Sequence, residues 1–138
     1  MGQVDVSVRT GLSLKQCAAA FRDGAARTRG FGTLVGGMRE QAAGNDTGFF
    51  TPQDHSAFPR LDGADEPDFT LGVRVPKQFG MTTSMTSVHM YVWDRQAHRE
   101  VAVLAPYGFA EGRHANKVVD KILDAFRRHD PGATVARG

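Results

Sequence analysis

From Ser84 to Tyr107 the chain reads SMTSVHMYVWDRQAHREVAVLAPY. Two stretches rich in β-branched and aromatic residues flank Asp94 to His98, which carries no apolar run, and this pattern predicts a β-hairpin. Side chains alternate across a strand, so Val88, Met90 and Val92 share one face while His89, Tyr91 and Trp93 share the other. A loop with an even residue count pairs Trp93 with His98, Met90 with Val101 and Val88 with Val103. Val88, Met90, Val92, Val101, Val103 and Ala105 then form an aliphatic face. His89, Tyr91, Trp93, Glu100, Ala102 and Leu104 form an amphipathic, aromatic one. An odd loop would set Glu100 beside Val92 and mix the two sets, so the even loop is preferred.

The same patterns extend along the chain. Gln3 to Arg9 alternates, with Val4, Val6 and Val8 on the buried side of a strand that Thr10-Gly11 breaks. Ser13-Leu14-Lys15-Gln16 fits a capping box with Leu12 and Cys17 at the staple positions, predicting a helix whose buried face is Leu14, Cys17, Ala18, Phe21 and Ala25. Gly24 is expected to weaken or bend this helix and Gly30 to stop it. Phe31 to Met38 reads as a short strand ending at Gly36-Gly37. Over residues 36–67 the pattern assigns little beyond a brief strand in Thr47 to Thr51 and another around Ala57, Phe58 and Leu61, interrupted by Pro59. Asp68 to Val75 is a strand punctuated by Pro67 and Pro76, with Phe69, Leu71, Val73 and Val75 inward. Lys77 to Thr83 reads as a mixed loop. Glu111 to His129 carries a helical stripe of Ala115, Val118, Val119, Ile122, Ala125 and Phe126, stopped by Pro131-Gly132. Asp124 and Arg128 stand at i,i+4 on its solvated side.

This order predicts an α+β fold: an antiparallel sheet packed against an N-terminal helix and a long C-terminal helix. Residues 1–132 form a single domain, followed by a flexible tail over residues 133–138. By its element order, strand, helix, several antiparallel strands and a long final helix, the chain resembles the helix-grip superfamily of START and Bet v 1-like proteins. The resemblance implies a curved sheet around the last helix and an apolar ligand cavity between them. A flatter two-layer sandwich accounts for the same order.

The 138 residues suffice for one domain with a proper core, and 41% hydrophobic with 23% charged residues is ordinary for a globular protein. No apolar run reaches the roughly 20 residues of a membrane span. The N-terminus lacks the pattern of a signal peptide, and a single Cys17 forms no internal disulfide. A cytoplasmic location is therefore expected. Abundant Arg, Ala and Gly suggest a high-GC bacterial source. The net charge is only +2, and its densest basic points, Arg27/Arg29 and Arg127/Arg128, sit where the ends of helices attract cations, so nucleic-acid binding is not expected.

No motif assigns chemistry. Cys17 falls on an apolar helix face and reads as a small buried hydrophobe. The glycines of residues 31–38 lack the Lys-Ser/Thr or G-x-G-x-x-G context of a phosphate loop, and no cofactor is expected. The acidic cluster Asp62, Asp65, Glu66 and Asp68 does not fit a calcium loop, and Asp54-His55 supplies too few ligands for a metal. Catalysis is the weakest reading: of five histidines only His55 and His89 suit acid–base work, and no nucleophile elbow or zinc motif is present. Two readings stand ahead of it. One is a module binding an apolar or amphipathic small molecule between the sheet and the C-terminal helix, near Phe49, Phe58, Met81, Tyr91 and Trp93, with His89 and Tyr91 as polar anchors. The other is a protein-interaction or homodimerising module using the His89, Tyr91 and Trp93 face.

Overall fold

A computed structural model describes residues 2–27, 49–51, 66–79, 82–107 and 112–137. The strands are β1 (Gly2–Thr10), β2 (Phe49–Phe50), β3 (Phe69–Phe79), β4 (Thr82–Asp94), β5 (Arg99–Tyr107) and β6 (Thr134–Arg137). The helices are α1 (Leu14–Arg27) and α2 (Gly112–His129). The strands form one antiparallel sheet in the order β2-β3-β4-β5-β1-β6. The sheet is open, its edge strands β2 and β6 being unpaired with one another among the described residues.

Both helices cover one face of this sheet. Period-two alternation sends Val4, Val6 and Val8, Leu71, Val73 and Val75, Val88, Met90 and Val92, and Val101, Val103 and Ala105 to that face. There they bury together with Cys17, Ala20, Phe21, Val118, Val119, Ile122 and Phe126. The predicted aliphatic face of the hairpin is thus the core face. The pairing itself differs from expectation: Trp93 faces Glu100, Met90 faces Val103 and Val92 faces Val101, two residues away from the predicted register. A two-residue shift returns every side chain to its own face, so hydrophobic patterning alone does not resolve it. The turn does. Asp94 Oδ1 accepts from the Gln96 N–H (2.9 Å), the Arg95 N–H donates to the His98 carbonyl (3.0 Å), and Gln96 takes a left-handed φ of 69°. The loop is therefore residues 95–98.

Two other expectations are corrected. β3 runs through Pro76 to Phe79, and β4 begins at Thr82, so most of the expected loop over Lys77 to Thr83 is strand. Pro76 pairs with Met85, and β2 reaches only as far as Val73 along the other side of β3. Among the described residues β3 is an edge at Pro76, where a missing N–H is tolerated. At the C-terminus, residues 134–137, expected to lie in a flexible tail, form β6 and pair with Val6 to Arg9 of β1. Arg137 of β6 also reaches Asp120 and Asn116 on α2. The expected strands over residues 31–38 and around Phe58 lie outside the described residues, as does the Gly30 stop.

The start of α1 matches its sequence signature. The Ser13 N–H donates to Gln16 Oε1 (2.9 Å) and the Gln16 N–H donates to Ser13 Oγ (3.2 Å). Each side chain thus satisfies a backbone donor that the first helical turn leaves open. Ser13→Ala is expected to lower stability by about 0.5–2 kcal/mol, read as a shift of the urea midpoint. An unchanged midpoint would mean that the box does not hold the helix start.

The C-terminal ends of the two helices are held together by side chains that the sequence pattern did not assign. Asp23 of α1 accepts from Arg27 (3.1 Å), and from Arg128 (3.2 Å) and His129 (3.3 Å) at the end of α2. Burial pushes its carboxyl up, but these three donors outweigh it and hold the pKa below the usual carboxylate range. Arg128 therefore serves α1, and Asp124 pairs with Arg127 instead of the expected Arg128. Asp130 ties the end of α2 to the β1–α1 turn. Its Oδ2 accepts from the Thr10 hydroxyl (2.6 Å) and the Gly11 N–H (3.1 Å), and its Oδ1 from the Gly132 N–H (3.1 Å). The Thr10 hydroxyl, then these backbone donors, hold the Asp130 pKa down.

Cys17 is fully buried beneath the first turn of α1, its Sγ 3.9 Å from the Leu12 carbonyl oxygen. Burial pushes the thiol up to about 11, against an opposing pull from Arg99 and with a smaller push from Asp130. The folded state thus holds the thiol proton more tightly than the unfolded chain, and stability falls where only the unfolded chain releases it. The stability of wild type relative to Cys17→Ala is expected to decline between about pH 9 and pH 11. Denaturant titrations at stepped pH would check this, and a constant difference would sink it.

Candidate functional site

The opposite face of the sheet carries its own chemistry. His89, Tyr91 and Trp93 all lie on it, and Tyr91, Trp93, Ala102 and Leu104 make a second buried cluster, separate from the helix-side core. His89 Nδ1 stands 2.9 Å from the Tyr91 hydroxyl, with the two rings edge to face. The phenol is fully buried, so this hydrogen bond gives its polar end a partner.

Cross-strand register sets two parallel rows on this face. One row is Trp93, Glu100, Arg9 and Thr134, on β4, β5, β1 and β6 in turn. The next is Tyr91, Ala102, Ser7 and Ala136 on the same strands. Ala102, Ser7 and Ala136 are small, and larger side chains stand beside them. The resulting part-open cavity of about 360 Å³ is lined by Ser7, Arg9, Trp93, Glu100, Thr134 and Ala136, among others. Its lining combines the Trp93 indole and the small Ser7, Ala102 and Ala136 with the charged Arg9 and Glu100.

Glu100 gathers three basic side chains around it. Its carboxylate lies 3.6 Å from Arg9 Nη2, 3.7 Å from Arg95 Nε and 3.5 Å from His98 Nε2. Arg9 is 65% and Glu100 42% exposed, so the pairing contributes little to stability. Next to it Arg99 faces Asp94 (3.6 Å) on the other side of the hairpin end.

The residues expected to form one site are therefore divided by the sheet. His89, Tyr91 and Trp93 stay together, on the face away from α2. Phe49 lies on the helix side, its ring 6.4 Å from that of Phe21 and beneath the Arg22 guanidinium at 4.8 Å. Phe58 and Met81 lie outside the described residues. The space under α2, where the ligand was expected, is occupied by fully buried Val118, Ile122 and Phe126. Sequence reasoning missed Ser7, Arg9, Thr134 and Ala136. The alternation of β1 already put Ser7 and Arg9 together, but only strand order shows that β1 lies beside the aromatic hairpin.

Among the described residues, no group of three or more His, Cys, Asp and Glu side chains could hold a metal ion, and no helix is long and apolar enough to cross a membrane. No family model matches the chain, and neither a curated protein nor a solved structure is similar to it at a significant level.

Proposed function

We propose that this protein is a small-molecule binding module, and that an amphipathic ligand sits beside Trp93 on the face opposite α1 and α2. The observation that carries this reading is the cavity. Its volume of about 360 Å³ falls within the roughly 300–1,000 Å³ of small-molecule sites, and it combines an apolar wall with a few polar anchors. The helix-grip likeness, drawn from element order, would put the ligand under α2 instead. The packed residues there favour the opposite face.

Trp93 is the only tryptophan and therefore reports on the site. At 8% exposure its emission is expected to be blue-shifted and weakly quenched by iodide. Anilinonaphthalene sulfonate, an aromatic amphipath, should bind saturably and change that emission. Ala136→Phe, which adds a ring to the cavity from the exposed strand β6, should abolish binding without changing the unfolding midpoint. No saturable change in the wild type, or equal binding by Ala136→Phe, would reject the proposal. A spectrum that reddens on dilution would favour the homodimer instead, since an interface releases Trp93 as the partner leaves.

A further inference from the structure

The arrangement of charge at the cavity rim narrows the ligand class, on the premise that the cavity beside Trp93 is the binding site. Glu100 shares its carboxylate among Arg9, Arg95 and His98. Of these three partners only Arg9 lines the cavity. Among the described residues Glu100 is the one anion paired with Arg9, and their separation of 3.6 Å is a loose contact compared with a charge-assisted hydrogen bond. If Arg9 turns to a ligand, Glu100 keeps the Arg95 guanidinium and is not left uncompensated. The rim therefore holds one guanidinium that can be lent to an anion at little penalty, whereas a cationic ligand would have to displace it.

We propose that the cavity takes a planar aromatic acid, its ring against the accessible part of Trp93 and its carboxylate or sulfonate on the Arg9 guanidinium. The planar fork of arginine matches a carboxylate with two parallel N–H donors. The Thr134 hydroxyl, on the strand flanking Arg9, lies within the same lining and suits a remaining acceptor position. Aromatic rings find in Trp93 a wall that favours offset or edge-to-face contact.

The test is calorimetric titration of the full chain with three ligands matched in their ring: naphthoate, naphthalenemethanol and naphthylmethylammonium. Naphthoate should bind about three- to tenfold more tightly than the alcohol, as for a partly exposed charge-assisted contact, and the ammonium should bind weakest. Arg9→Gln should erase the preference for the acid while leaving binding of the alcohol in place. Glu100→Gln frees Arg9 and should strengthen naphthoate binding, so the two variants move in opposite directions. Arg95→Gln takes a cation from Glu100, holds Arg9 more firmly to it and should weaken the preference, opposite in direction to Glu100→Gln. Equal binding of acid and alcohol, a preference for the ammonium, or a preference that survives Arg9→Gln would overturn the charge assignment and leave the cavity as a neutral site. Failure of all three ligands to bind would remove the binding function together with it.

Discussion

Urea unfolding of Phe126→Ala is expected to show a loss of about 3–5 kcal/mol, as for other buried aromatic truncations. Phe126 is fully buried in the core shared by α1, α2 and the sheet. Removing its ring forfeits the transfer of a large apolar group and leaves a hole that α2 cannot close easily. The reason is that α2 is held at its C-terminal end. The Phe126 carbonyl accepts from the Asp130 N–H (2.8 Å), and the Asp130 carboxylate is bound to Thr10 and Gly11 in the β1–α1 turn. Asp23 anchors Arg128 and His129 just beyond. Such clamps resist the collapse that would reduce the penalty. A loss of this size is a large fraction of the roughly 5–15 kcal/mol of a typical domain. A change near zero would mean that α2 is not seated on the sheet as described.

Gly24→Ala is expected to destabilise by about 1–3 kcal/mol, the usual range for overpacking a tight interior. Helix propensity argues the other way, because alanine is favoured over glycine within a helix by roughly 1 kcal/mol. The two contributions therefore have opposite signs, and the measurement decides which dominates. Tertiary contact does, on geometric grounds. A methyl group at Gly24 would meet the backbone of α2, lying 2.8 Å from the Lys121 carbonyl oxygen and 2.9 Å from the Ile122 nitrogen, and close to the Ile122 Cα. Backbone of a packed helix cannot rotate aside as a flexible side chain can, so the helices must separate. Their separation would weaken packing around Phe21 and Ile122 as well. An alanine variant with a higher denaturation midpoint would show that α1 and α2 do not cross closely at this point. Read from sequence, Gly24 looked like a weakness in α1; its effect in the fold is to let α2 approach.

What the chain determined by itself is local. The Ser13–Gln16 box, the Val118–Phe126 stripe and the division of the hairpin into an aliphatic and an aromatic face depend on helical and strand periods. Those periods operate over a few residues and are written in the order of side chains. The α+β class follows from the elements so defined. Tertiary structure decided everything that required choosing between distant partners. A hairpin shifted by two residues keeps both faces intact, so the Asp94–Gln96 turn had to select Trp93 opposite Glu100. Nothing local distinguishes a loose tail from an edge strand in Thr134–Arg137; the open edge of β1 and the Arg137 contacts with α2 do that. The cavity is the sharpest case. Ser7, Glu100 and Ala136 belong to three strands far apart in sequence, and they share a site only because β1 lies between β5 and β6. Choosing which face the helices cover placed Phe49 on one side of the sheet and Trp93 on the other. That choice is a competition for buried area among whole elements, and no single stretch of sequence records its outcome.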